Sequence, residues 1–100
     1  MCGIIGIASN KSVSTNIINA LKKLEYRGYD SAGLATLTDN TINEKKCSGR
    51  VEELEKILFK DPSNGNIGIG HVRWATHGVP NIVNAHPHSS EQVSVVHNGI

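Results

Sequence analysis

The sequence predicts an α+β fold. Three observations predict it: short apolar runs spaced by glycine, two amphipathic stretches of helical period between them, and a hairpin turn of the Asp-Asn type joining two of the runs. Strands are joined by hairpins or by helices, and the polar loops gather at strand ends. That pattern calls for antiparallel sheet covered by helices.

Residues 2–8, Cys-Gly-Ile-Ile-Gly-Ile-Ala, are too short for a helix and rich in β-branched side chains, and read as a buried strand. Gly3 and Gly6 weaken a strand and suggest close approach by another backbone or a ligand. Ser9, Asn10 and Lys11 form a turn, and Ser12 is the expected N-cap of a helix. Val13, Ile17, Ile18, Leu21 and Leu24 recur along it at helical spacing. Lys22 and Lys23 suit the negative end of its dipole, and Gly28 ends it. Residues 27–33 read as a polar, glycine-bounded loop. Residues 34–38 read as a strand, Asp39-Asn40 as a tight turn, and the lysine-bearing residues 41–47 as a return strand suited to a sheet edge. Ser48-Gly49 opens a second helix, with Val51, Leu54, Ile57 and Leu58 on its apolar face, and residues 61–65 end it. Residues 67–72 form a glycine-spaced strand running into Arg73 and Trp74, and after a loop at 84–88 a last strand spans 93–97.

Composition narrows the function. A formal charge of +1 offers no footprint for nucleic acid or an anionic membrane, and no run approaches the ~18 apolar residues of a span. The first residues lack the basic start and long apolar core of a signal peptide, so a cytoplasmic protein with reduced Cys2 and Cys47 is expected. Ile100 follows directly on the Asn98-Gly99 turn signal, which reads as a domain interrupted at its C-terminal side.

Cys2 stands out. If Met1 is removed, a thiol and a free α-amine share one carbon, and the amine can serve as base for its own side chain. The alternative is a small buried hydrophobe opening a strand. An amidohydrolase led by Cys2 needs oxyanion donors, and Asn98 and Gly99 can supply a side-chain amide and a backbone N–H. A plain type I′ turn is the commoner meaning of that dipeptide. Arg73, at a strand mouth, suits a substrate carboxylate, although an ion pair with one of the nine acidic residues would also satisfy it. Thr76 and His77 lie in the same loop, and Trp74 offers a flat apolar wall or an ordinary core side chain. Arg27 and Asp30 could pair across their loop. The five histidines show no standard metal-ligand spacing, so neither a metal nor another cofactor is expected. Residues 65–70 alternate glycine without the Lys-Ser/Thr ending of a phosphate loop.

Taken in order, Met1-Cys2-Gly3-Ile4, Arg27-Gly28-Tyr29-Asp30-Ser31-Ala32-Gly33, Arg73-Trp74-Ala75-Thr76-His77-Gly78, Asn84-Ala85-His86-Pro87-His88 and His97-Asn98-Gly99-Ile100 resemble the N-terminal glutaminase domain of the glutamine–fructose-6-phosphate aminotransferase family, class II glutamine amidotransferases. The resemblance runs the length of the chain. It implies an N-terminal nucleophile hydrolase fold, a four-layer αββα sandwich of antiparallel sheets, with residues 1–100 as part of that domain. It implies that Cys2 attacks the side-chain amide of glutamine and that Asn98 and Gly99 form the oxyanion hole. Arg73 would bind the glutamine α-carboxylate with Thr76 and His77 beside it, and Trp74 would belong to a closing loop. The family's acidic residue for the α-ammonium and its sugar-phosphate domains, which receive the ammonia and take fructose 6-phosphate, would lie beyond Ile100. The full-length protein is expected to be a homo-oligomer. A class II glutaminase of the amidophosphoribosyltransferase or asparagine synthetase type, a non-catalytic glutamine-binding module and a histidine-based metal module are the rival readings.

Overall fold

The computed structural model describes residues 2–74 and 81–98. Its elements are β1 (Gly3–Ala8), α1 (Ser14–Leu24), a 3₁₀ turn (Glu25–Arg27), β2 (Ser31–Thr38), β3 (Thr41–Ser48), α2 (Val51–Lys60), β4 (Ile67–Arg73), β5 (His88–Ser89) and β6 (Ser94–Val95). The protein is α+β. One sheet has the order β1-β4-β2-β3 and the other is the pair β5-β6, with every pairing antiparallel. β4, formed late in the sequence, is inserted between β1 and β2 and so bonds to both.

The two sheet faces are used differently, because side chains alternate along each strand. On one face lie both helices. Val13, Ile17 and Leu21 of the first helical segment and Val51 and Leu54 of α2 pack on Ala32, Leu34 and Val72 to form the core. Gly68 and Gly70 make the α1 contact possible, since a Cβ on either would fall 2.7 or 2.6 Å from an Ile17 methyl. The opposite face takes residues 84–97. Lys46 Nζ donates to the Ala85 carbonyl at 3.0 Å, and the His86 carbonyl lies directly over Gly33.

Several expectations hold and several need correction. The turn at Asp39 (φ 50°) and Asn40 (φ 59°) has the left-handed pair of a type I′ hairpin, and β3 is an edge strand. β1 is an edge too, so it is not buried throughout: Ile4 is 42% exposed. Gly3 is pressed against Leu24, but a Cβ on Gly6 would meet nothing nearer than 3.9 Å. Ser12 does not cap α1; the Val13 N–H donates instead to the Gly65 carbonyl at 3.0 Å, and Val13 is the capping residue. Ser48 remains in β3, and α2 starts at Val51, whose N–H donates to Glu25 Oε2 at 3.0 Å, a carboxylate placed at the positive end of the helix. Ser31, Ala32 and Gly33 are strand rather than loop because β4 extends far enough to pair with them, Ser31 opposite Arg73. The last strand is confined to Ser94–Val95 and pairs with His88–Ser89, so that His88 is strand rather than loop.

No helix among the described residues is long and apolar enough to cross a membrane. Cys2 and Cys47 are not joined in a disulfide. Cys47 is 4% exposed and burial pushes its thiol up to about 11, so it stays protonated and unreactive at neutral pH.

Candidate functional site

Three chain segments meet where β1 begins, β4 ends and the segment after β6 passes. The β1–β4 register pairs Gly3 with Val72, and one step further sets Cys2 opposite Arg73, on the face away from the helices. Cys2 is half-buried there. The Trp74 N–H donates to its Sγ at 3.4 Å, and the Trp74 carbonyl lies 3.8 Å from the same sulfur. From the third segment, Asn98 Nδ2 donates to the Cys2 carbonyl at 3.2 Å. The described structure therefore brings together Cys2, Arg73, Trp74 and Asn98 out of the residues singled out from sequence. Thr76, His77 and Gly99 lie outside the described residues, as does Met1.

Arg73 is 8% exposed, with its guanidinium 3.8 Å from Asp30 Oδ1. The Asp30 carboxylate is held by the Ser31 hydroxyl at 2.9 Å, and the Asp30 N–H donates to the Arg73 carbonyl at 2.7 Å. The guanidinium is thus partnered, at a separation longer than that of a bidentate carboxylate pair. The Arg27 side chain lies outside the described residues; Asp30 faces Arg73. The Trp74 ring rests on Gly28 (φ +112°), where any Cβ would fall 2.7 Å from the indole, and it is 48% exposed, a wall rather than a core side chain.

Sequence reasoning missed the arrangement of the histidines. His71, fully buried in β4, stacks on His86 with ring centroids 4.4 Å apart, and His86 meets His88 at 4.5 Å. His71 Nε2 lies 3.0 Å from the His97 carbonyl. The alternation of β4 was the only available signal: His71 and Arg73 fall on one face. No group of three or more His, Cys, Asp or Glu side chains among the described residues is disposed to hold a metal ion.

Burial lowers the pKa of His71, and the His97 carbonyl and Asn98 side chain only partly oppose it. Burial, with His71, His88 and Arg73 beside it, takes His86 down to about 4. A histidine whose folded pKa is depressed resists the proton that the unfolded chain accepts. Stability is therefore full above the unfolded value near ~6.5 and declines as pH falls toward the folded value. We expect wild type to lose stability between pH ~6.5 and ~4 by roughly 1–3 kcal/mol. His86→Asn should flatten that segment of the profile in denaturant melts taken across the range; an unchanged slope would contradict the assignment.

Comparison with known proteins returns one consistent result. No family model matches the chain. Over its whole length it is similar to proteins named glutamine–fructose-6-phosphate aminotransferase (isomerizing): 58% identical to that of Clostridium acetobutylicum, covering 17% of it. It is 55% identical to that of Mesorhizobium japonicum and 50% identical to that of Zymomonas mobilis, covering 16% of each. The chain thus spans about a sixth of the length of these relatives.

Proposed function

We propose that the chain belongs to the glutamine–fructose-6-phosphate aminotransferases and forms the amino-terminal, glutamine-hydrolysing part of one. The whole protein would move the amide nitrogen of glutamine onto fructose 6-phosphate, giving glucosamine 6-phosphate and glutamate. The sugar phosphate would be held by parts of the protein outside this chain. The full domain would be an N-terminal nucleophile hydrolase sandwich of which residues 1–100 are a portion.

One observation carries the reading: the second residue's thiol lies 3.4 Å from a backbone donor at the mouth of β4, with the Asn98 amide bonded to its own carbonyl. Once Met1 is removed, the α-amine of Cys2 takes the thiol proton, and sulfur attacks the amide carbon of glutamine. The carbonyl oxygen becomes an oxyanion, met by the Asn98 side-chain amide and the Gly99 N–H. The tetrahedral adduct collapses as the ammonium gives its proton to the leaving nitrogen, releasing ammonia and leaving a glutamyl thioester. Water, deprotonated by the amine, cleaves the thioester to glutamate and restores the thiol. Arg73 would bind the α-carboxylate, with Thr76 and His77 as further substrate-binding residues by their motif, and Trp74 would wall the site. The similarity to named relatives favours fructose 6-phosphate over other acceptors.

A glutamine-shaped chloroketone tests the assignment. Peptide mass spectrometry of the treated full-length protein should locate one adduct on Cys2 at a processed amino terminus. Modification of Cys47, or none at all, would overturn it.

A further inference from the structure

The proposed reaction leaves the His71–His86 stack unused, although it adjoins the oxyanion donor. His71 is fully buried in the central strand β4, with its ring 4.4 Å from that of His86. Its Nε2 meets the carbonyl of His97, the residue before Asn98, at 3.0 Å. A carbonyl can only accept, so the proton is on Nε2 and the ring is the neutral Nε2–H tautomer. Among the described residues, Nδ1 of both His71 and His86 is buried without a hydrogen-bond partner, which is affordable only for unprotonated nitrogens facing apolar or stacked surroundings. β6 supplies just Ser94 and Val95 to a ladder, so sheet pairing does not reach residues 97–98. The His71 bond ties the main chain there to the four-stranded sheet.

We propose that His71 is a positioning residue that fixes the oxyanion-hole asparagine Asn98 by anchoring the His97 carbonyl to β4, with His86 stacked behind it to hold the ring. It touches no substrate and acts through Asn98. The inference rests on the reading of Cys2 and Asn98 given above. Glutaminase activity is measured on the full-length protein, with folding monitored by thermal melting and circular dichroism. His71→Leu keeps the volume and loses the donor. We expect kcat to fall ~10–100-fold with KM for glutamine within ~3-fold, because a displaced oxyanion donor is felt in the transition state rather than in binding. Asn98→Ala should cost ~10²–10³-fold, and the double variant should be no worse than Asn98→Ala alone, since residues acting as one unit are not additive.

His71→Gln reproduces an N–H donor near Nε2 and should recover most of the activity, whereas His71→Asn, whose amide falls short, should not. This pair decides the matter if His71→Leu fails to fold. Wild-type kcat in His71→Leu, multiplying losses in the double variant, or equal activity of the Gln and Asn variants would each overturn the proposal. Cys2→Ala separates the two levels. If it retains hydrolysis, the nucleophile reading fails; if it is inactive while the His71 variants behave as wild type, only the positioning role fails.

Discussion

Replacing Cys2 with alanine should abolish release of ammonia from glutamine while leaving the fold intact. The nucleophile of a covalent mechanism has no substitute nearby. Cys47 sits on the helix side of the sheet with its thiol held near pKa 11 and directed at the Arg50 carbonyl, 3.6 Å away. Loss of a nucleophile in a comparable acyl-transfer site costs on the order of 10⁴–10⁶ in kcat, the residue of catalysis coming from binding and the oxyanion hole. Stability should barely move, because Cys2 is half-buried at the opening of an edge strand and its thiol is small. Coupled glutamate detection gives the rate and thermal melting gives the control. Activity within tenfold of wild type would sink the mechanism. The same logic makes Met1 decisive: as an N-acyl group on Cys2 it would remove the base, so any sample retaining it should be as inactive as the alanine variant.

Gly33→Ala should have the largest effect on stability of any single methyl added to the sheet. A Cβ there would collide with the His86 carbonyl and come within 3.0 Å of both Pro87 Cδ and Lys46 Cγ. The first obstacle is main chain, which cannot rotate aside. Residues 84–88 must lift from β2, which costs about 1–3 kcal/mol for overpacking of this kind and draws His86 away from His71. We expect a melting temperature lower by ~5–15 °C for a unit of this size, and a fall in glutaminase rate alongside it. Gly6→Ala is the matched control. Its Cβ would find nothing nearer than 3.9 Å, so it should stay within about 0.5 kcal/mol of wild type. Equal melting temperatures for the two variants would show that the packing of residues 84–88 on β2 is not what stabilises this face.

The contrast between Gly33 and Gly6 also marks what the sequence could reveal. Both stand in strands and both were open to the same reading, yet only the neighbour across the sheet decides whether a glycine is required. The helices were legible because Val13, Ile17, Leu21 and Val51, Leu54 carry their own period. The Asp39-Asn40 turn was legible because its left-handed dihedrals favour those side chains. Ser31 was not recognisable as strand, since what holds it there is Arg73, forty-two positions on, through β4. Likewise His71 offered only its strand face; its bond to the His97 carbonyl depends on how residues 84–98 return over the sheet. At the site, the residue types at Cys2, Arg73, Trp74 and Asn98 could be picked out by chemistry alone. The approach of Arg73 to Asp30 could not be read from the sequence, because it depends on β4 reaching back to the start of β2.

The contacts around Cys2 join residues separated by 72 and 96 positions. Links of such span form late, after local helices and the hairpin have already gained their structure. A ribosome-bound polypeptide would therefore carry Cys2 without these contacts until residues 74 and 98 have been made. The surroundings of the sulfur are thus assembled by the last described residues to be made, not by its neighbours along the chain.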